Sequence, residues 1–149
     1  MRKKVKKIAG WREVVALPDL SVSAIKAKLD TGARTSSLHI TNLKIFEKEG
    51  KQWARFNVHP RQKKRLPCIA CEAQILEFRD IKSSNGHISR RPVIETRIVL
   101  DGENWISEIT LMNREKMNYR MLLGRKSMKR LLVDSTKSYL LSEEKEVKV

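Results

Sequence analysis

The chain lacks several features that would assign it a function at once. It has no run of about 18 apolar residues, which a membrane-spanning helix needs. It has no Gly-x-x-x-x-Gly-Lys-Ser/Thr loop, so we expect no ATP binding by a P-loop, and no His-Glu-x-x-His motif to support a metalloprotease. Aromatic residues make up only 5% of the chain, which argues against a platform that stacks single-stranded bases.

Cysteine is also scarce, since Cys68 and Cys71 are the only two, in a Cys-x-x-Cys spacing. Half of a zinc site and a redox pair both use this spacing. A zinc site needs about four ligands, and only His39, His59 and His87 remain to complete one. We favour two reduced structural thiols, a structural role for His39, and neither a metal nor a cofactor, with the zinc and redox alternatives left open.

Basic residues are the abundant class. The chain has 32 lysines and arginines against 17 acidic residues, a formal net charge of +15. Such a balance favours a polyanionic partner: nucleic acid, a ribosome, an anionic membrane face or an acidic polypeptide. Solvated charge with no partner is the alternative, and charge alone does not decide between them.

The length and composition predict one folded domain over residues 1–149, because 40% of the residues are hydrophobic and the chain is long enough to bury a core. The basic arm 1–7 and the charged tail 142–149 are expected to be flexible. The segment Gly10-Trp11-Arg12-Glu13 follows the arm where a signal peptide would have its apolar region, so we expect a cytoplasmic protein.

Alternating apolar and polar residues indicate many short strands. Ile25, Ala27 and Leu29 alternate with lysines and predict a strand that ends at Asp30. Turn signals predict hairpins at Glu49-Gly50, Asn85-Gly86 and Asp101-Gly102. Further strands are predicted at 8–17, 43–46, 53–58, 74–79, 93–100, 105–112 and 133–141, and a short helix at 125–132. The fold class is therefore all-β, a barrel or sandwich.

Two elements at opposite ends of the chain indicate a function. Asp30-Thr31-Gly32-Ala33 places a carboxylate at a strand end, where it can lie at the floor of a cleft, with a glycine that permits another chain to approach closely. The alternative is that Asp30 caps an ordinary turn. The second element is Met121-Leu122-Leu123-Gly124-Arg125, a short apolar strand broken by glycine.

Together these elements resemble the retropepsin-like aspartic peptidases. The segments 30–39 and 113–125 resemble more narrowly a small bacterial group that carries the label ATP-dependent zinc protease, although its pattern is of the aspartic type. The resemblance spans roughly residues 10 to 135 and implies a closed barrel with one short C-terminal helix. It implies catalytic roles for Asp30, Thr31 and Gly32, and substrate contacts from Ala33, Arg34, Asn85, Gly86, His87, Gly124 and Arg125.

Aspartic chemistry needs two carboxyl groups that share a proton around one water molecule. This chain has one Asp-Thr-Gly, and its other aspartates lie in no matching context. The resemblance therefore implies a homodimer that contributes Asp30 from each subunit. Thr31 would hold the paired strand ends, and the hairpin near Gly86 would cover the substrate.

Two departures from the resembled family concern the substrate. The hairpin between roughly residues 42 and 72 is extra relative to compact viral members. Viral enzymes have an acidic residue where this chain has Arg34, so Arg34 and Arg125 cannot form the salt bridge of those enzymes.

A cationic cleft rim of Arg34, Arg90, Arg91, Arg120, Arg125, Lys126, Lys129 and Arg130 would suit an acidic substrate. A solvated helix face for the run from Arg120 to Arg130 is the alternative. The resembled group is associated with ATP-grasp ligases that add glutamates to a ribosomal protein, which suggests a polyglutamate tail and possible ribosome association. A competing hypothesis of another class is a non-catalytic basic module on the same fold that docks to ribosome or RNA.

Overall fold

Period-two alternation of apolar residues gives this chain its strands. The computed structural model describes residues 6–61, 67–82, 85–113 and 118–144. Within these ranges the strands are β1 (Lys7–Gly10), β2 (Arg12–Leu17), β3 (Val22–Leu29), β4 (Ser36–Lys48), β5 (Lys51–Val58), β6 (Ile69–Gln74), β7 (Glu77–Lys82), β8 (Ile88–Leu100), β9 (Glu103–Met112), β10 (Met121–Leu123) and β11 (Leu131–Asp134). Single 3₁₀ turns form at Pro18–Leu20 and Arg125–Ser127.

The main sheet is ring-like. Its strand order begins β10, β3, β2, β8, β9, β4, and β10 pairs with β3 on one side and with β4 on the other. Strands β5 and β6 extend the sheet from β4, and β7 pairs with β8. Strands β1 and β11 form a separate parallel pair. The predicted all-β fold class is confirmed.

The core lies inside this ring and consists of the inward residues of each strand. In β3, Ile25, Ala27 and Leu29 are buried, as their alternation with lysines predicts. Leu38 and Ile40 of β4 belong to the same buried cluster. Because β3 is held on both sides by paired strands, the chain that leaves it at Asp30 starts from a fixed position.

The predicted hairpins are confirmed. Strands β4 and β5 pair around Glu49-Gly50, where both residues have positive φ (53° and 75°). Strands β7 and β8 pair from Glu77↔Val93 to Lys82↔Ile88, and β8 and β9 pair around Asp101-Gly102. Positive φ at each of these glycines is the reason that glycine suits the turns.

The predicted helix at 125–132 is wrong. Only one 3₁₀ turn forms there, and Leu131–Asp134 continue as β11, in parallel pairing with β1. Met128 and Leu131 are buried as the helical spacing required, but Leu132 is 53% exposed. The pairing partner lies more than a hundred residues away in the sequence, so local periodicity alone could not indicate this strand.

The predicted strand 8–17 is divided in two at Trp11. Gly10 packs against the backbone of residues 137 and 138, and a Cβ at this position would lie 2.6 Å from the Lys137 carbonyl oxygen.

The expected flexible ends fall partly on residues 1–5 and 145–149, which lie outside the described residues, as do 62–66, 83–84 and 114–117. Lys7 and Ser142 are held by hydrogen bonds to Asp101 and Glu13. Within the described ranges, no helix has the length and apolar character needed to cross a membrane.

Candidate active site

The Asp30 turn, residues 30–35, follows β3 and is fixed by backbone hydrogen bonds. The Asp30 N–H donates to the Leu123 carbonyl oxygen at 2.8 Å, and the Ala33 N–H donates to the Asp30 carbonyl oxygen at 3.1 Å. The Gly32 N–H donates to Asp30 Oδ1 at 2.9 Å. The side chain of Asp30 is half-buried, and its Oδ2 accepts no hydrogen bond from any described residue. One carboxyl oxygen is therefore held by the turn and the other is open.

The Gly124 turn, residues 123–127, packs directly on the Asp30 turn. The Arg125 N–H donates to the Ala33 carbonyl oxygen at 2.8 Å, and the Lys126 N–H donates to the Arg34 carbonyl oxygen at 3.2 Å. A Cβ at Gly124 would lie 2.6 Å from both the carbonyl carbon and the carbonyl oxygen of Thr35. Only glycine fits this contact without a backbone shift. The structure thus brings the two sequence elements together.

A chain of three buried serine hydroxyls supports the Gly124 turn. Ser36 Oγ accepts a hydrogen bond from the Gly124 N–H at 3.0 Å. Ser127 Oγ lies 2.5 Å from Ser36 Oγ and 2.5 Å from Ser107 Oγ. These hydroxyls connect β4, β9 and the 3₁₀ turn beneath the site. Sequence reasoning missed them because isolated serines carry no signal before the fold places them together.

The two arginines expected at the site occupy its exposed edge. Arg125 Nη1 donates to the Thr31 carbonyl oxygen at 3.0 Å, so its guanidinium holds the Asp30 turn through the backbone. Arg34 is exposed, and within the described ranges neither arginine forms an ion pair. Thr31 and Gly32 are exposed and Ala33 is half-buried. The catalytic and substrate-binding roles assigned to these residues stay predictions.

The remaining predicted substrate residues lie at the tip of the β7–β8 hairpin. Asn85, Gly86 and His87 are exposed, and the His87 N–H donates to Asn85 Oδ1 at 3.4 Å. Asn85 and His87 line an open groove of about 510 Å³ together with Arg90 and Arg91. The β8–β9 pairing begins at Val93↔Thr110, so residues 88–92 of β8 pair with β7 alone and extend beyond β9. Its role in covering a substrate stays a prediction.

The other four aspartates have positions of their own, away from Asp30. Asp19 Oδ2 accepts from the Arg97 N–H, and Asp101 Oδ2 accepts from Lys7 Nζ. Asp134 Oδ1 accepts from the N–H and the hydroxyl of Thr136, which lowers the pKa of Asp134. Asp80 lies on β7 opposite Arg90. None of these four aspartates forms a carboxyl pair with Asp30.

The cysteines and histidines are separate features of the fold. Both cysteines are free, Cys68 is exposed and Cys71 is buried. Burial raises the pKa of the Cys71 thiol to about 11, which disfavours the thiolate that redox chemistry requires. His39 is 1% exposed, and its ring centroid lies 5.7 Å from that of His59. The described residues contain no cluster of three or more potential metal ligands.

Two residues do not match the sequence interpretation. Arg120, assigned to an exposed basic run, is 7% exposed, and its carbonyl oxygen accepts the His39 N–H. Arg120 therefore belongs to neither the solvated face nor the cationic rim. Glu13 is completely buried and was missed, although it shares the inward phase of Val15 and Leu17 in β2, a pattern that could have identified it.

Comparisons with known proteins agree with this geometry. Residues 8–144 match the RimB-like family, described as retropepsin-like aspartic endopeptidase RimB. A probable alpha-L-glutamate ligase of Shewanella halifaxensis is 47% identical over 95% of this chain, and one of Desulfotalea psychrophila is 41% identical over 93%. The chain spans only 31% and 30% of these two relatives.

A crystal structure of a Legionella pneumophila protein of unknown function superposes with a TM-score of 0.75 and 29% identity, covering 90% of this chain and 97% of that one. The paired turns, the all-β ring and the match over residues 8–144 agree with one another. The chain belongs to the RimB-like family of retropepsin-like aspartic endopeptidases.

Proposed function

We propose that this chain is an aspartic-type endopeptidase that acts as a homodimer, with Asp30 of each subunit sharing one proton to activate a water molecule. The observation that carries the proposal is the Asp30 turn locked to the Gly124 turn. Asp30 N–H, Ala33 O and Arg34 O all bond to residues 123–126, so the carboxyl stands in a fixed position. Its Oδ1 is held by Gly32 and its Oδ2 is open to a water molecule.

The second carboxyl group must come from another copy of the chain. Asp19, Asp101 and Asp134 accept hydrogen bonds from other parts of the fold, and Asp80 lies on β7 opposite Arg90. Only one Asp-Thr-Gly is present in the sequence. A two-fold axis beside the Asp30 turn would place the two Asp30 side chains together in an isologous contact. Thr31 and Gly32 are exposed at this turn, where a partner subunit can approach.

Two carboxyl groups about 3 Å apart do not both ionise, because the two charges repel. The ionised member accepts a proton from water as the oxygen attacks the peptide carbonyl carbon. The protonated member donates its proton to the carbonyl oxygen. As the tetrahedral intermediate collapses and the C–N bond breaks, the aspartate that accepted the water proton donates it to the leaving amine. The other aspartate takes a proton from a hydroxyl group of the intermediate, which restores the singly protonated dyad. The two pKa values belong to the dyad rather than to either aspartate.

The proposed substrate is an acidic or polyglutamylated tail, such as the glutamates that an ATP-grasp ligase adds to a ribosomal protein. Two observations support it. Arg34 and Arg125 stand beside Asp30, and neither has an acidic partner among the described residues. The two relatives above are named probable alpha-L-glutamate ligases, and the matched region is about a third of each.

Dilution tests the homodimer. We expect specific activity to fall as the protein is diluted below its dimer dissociation constant, because each monomer supplies half of the dyad. Turnover of an acidic reporter peptide would be measured over a concentration series, with sedimentation velocity on the same samples. Constant specific activity in samples that contain only monomer would contradict the shared dyad.

Arg34→Ala tests the substrate class. Each charge-assisted contact contributes about 1.5–3 kcal/mol, so we expect kcat/KM for a glutamate-rich peptide to fall roughly tenfold or more. A neutral peptide of equal length should be affected far less. Arg55→Ala, which removes the same charge from β5, is the matched control. Equal loss for both peptides, or equal loss in the control, would contradict acidic specificity at Arg34.

A further inference from the structure

Two adjoining cavities lie on either side of Trp105, apart from the Asp30 carboxyl. One has a volume of about 170 Å³ and the other about 190 Å³. Trp105, Lys129 and Arg130 line both cavities. The proposed chemistry at Asp30 uses none of these three side chains, although Lys129 and Arg130 belong to the basic run considered above for the cleft rim. The pair of cavities is therefore a concave surface without an assigned role.

The floor of the 170 Å³ cavity is apolar. Leu100 and Leu131 line it and are buried in the core, at 2% and 9% exposure. Trp105 pairs with Ile98 in the β8–β9 ladder and is half-buried. Trp105 Nε1 is buried and has no hydrogen-bond partner among the described residues. Water in a pocket with this floor gains few hydrogen bonds, so an apolar side chain is a better occupant.

The rim of the two cavities is strongly basic. In the part of the chain that the structure describes, it carries five cationic side chains, Lys6, Lys7, Lys126, Lys129 and Arg130, against one carboxylate, Glu103. Glu103 lies 3.9 Å from Lys7 and 3.8 Å from Arg130, and Asp101 lies 3.0 Å from Lys7.

Glu103 and Asp101 do not neutralise all of the positive charge on the rim. Among the described residues, Lys6, Lys126 and Lys129 have no carboxylate partner. Three ammonium groups at the rim are thus available to an anionic ligand.

We propose that this surface, the Trp105 site, binds an acidic peptide segment that carries one bulky apolar side chain. The apolar side chain would enter the cavity over Leu100 and Leu131, and the flanking carboxylates would pair with Lys126 and Lys129. A purely polyanionic ligand leaves the apolar floor unfilled, and a neutral peptide leaves the lysines unpaired. Charge and apolar shape together favour this class of ligand.

The Trp105 site is joined to the Asp30 turn by the backbone. Lys126 follows Arg125, and its N–H donates to the Arg34 carbonyl oxygen. A peptide held here would be tethered close to the Asp30 turn without using the Asp30 carboxyl. Binding at the Trp105 site therefore stands or fails independently of peptide hydrolysis.

Fluorescence anisotropy tests the proposal on the whole 149-residue chain carrying Asp30→Asn, a substitution that prevents cleavage of the probe. The probe is a labelled nonapeptide that has leucine at its central position and glutamate at all the remaining positions. We expect Lys126→Gln with Lys129→Gln to raise its Kd roughly threefold to tenfold. The same removal of charge at exposed positions on the β4–β5 hairpin, Lys44→Gln with Lys51→Gln, should change Kd less than about twofold.

The apolar part of the site is tested with an all-glutamate nonapeptide, which should bind about tenfold more weakly or worse because no leucine is buried. Binding of the leucine probe should also shift the tryptophan fluorescence emission maximum of the protein with Trp105. The same shift should be absent in the Trp105→Phe variant. Equal binding of the two peptides, or an equal effect of the control lysines, would overturn the proposal. Tighter binding of a single-stranded RNA of equal charge would reassign the surface to nucleic acid.

Discussion

An Asp30→Asn variant is expected to fold like the wild type and to lose peptide hydrolysis by about 10²- to 10⁴-fold or more, because both carboxyl groups of the dyad become amides that cannot exchange a proton. The fold is retained because asparagine keeps the Oδ1 that accepts the Gly32 N–H, and because the Asp30 N–H still reaches Leu123. Cleavage of an acidic reporter peptide and thermal unfolding would be measured side by side.

Asp134→Asn is the matched control for this variant. Asp134 also ends a strand, and its Oδ1 accepts the N–H two residues ahead at 2.9 Å, the same distance as in the Asp30 turn. The same substitution in the same local geometry should leave turnover unchanged. A chelator should also leave turnover unchanged, because a shared-proton dyad requires only water and two carboxyl groups.

If Asp30→Asn cleaved the peptide as fast as the wild type, the aspartic mechanism would be contradicted. Loss of wild-type cleavage on addition of a chelator would contradict it as well. If the wild type cleaves none of the acidic peptides but binds ribosomes or RNA, and Asp30→Asn binds equally well, the protein is instead the non-catalytic basic module.

The sequence predicted those parts of the fold and site that depend on local patterns. Period-two alternation located β3 and its end at Asp30. The pairs Glu49-Gly50, Asn85-Gly86 and Asp101-Gly102 located the hairpin turns, where each glycine has a positive φ. The family resemblance singled out the Asp30 and Gly124 elements together, but no local pattern indicates that their two turns are in contact. Neither composition nor periodicity indicates which distant strand ends meet.

Features that depend on distant partners were missed or wrong. Met128 and Leu131 fitted a helical period, yet pairing with β1 made Leu131 part of a strand. Arg120 looked like one more surface cation, but its neighbours bury it. The inward phase of β2 could have indicated that Glu13 is buried, but three of its hydrogen-bond donors lie 127 to 129 residues away in the sequence and could not be predicted from a local pattern.

Glu13 is expected to be among the most sensitive positions for stability. Its side chain is completely buried in β2, and its two oxygens accept hydrogen bonds from four donors. Gly10 N–H and Leu140 N–H donate to Oε2 at 2.7 and 2.9 Å, and the Ser142 hydroxyl and Leu141 N–H donate to Oε1 at 2.6 and 3.2 Å. One carboxylate thus fastens residues 140–142 to the β1–β2 junction.

Glu13→Ala should lower the free energy of unfolding by about 3–5 kcal/mol, because it leaves several buried donors without an acceptor. Glu13→Gln should also destabilise the protein, since its amide NH₂ would face a donor where an oxygen now accepts. Glu47→Gln on the exposed part of β4 is the control and should change stability by less than about 0.5 kcal/mol. Urea unfolding followed by circular dichroism measures all three variants. A Glu13→Ala protein as stable as Glu47→Gln would show that the C-terminal segment is held by its backbone and apolar contacts, and that the carboxylate is dispensable.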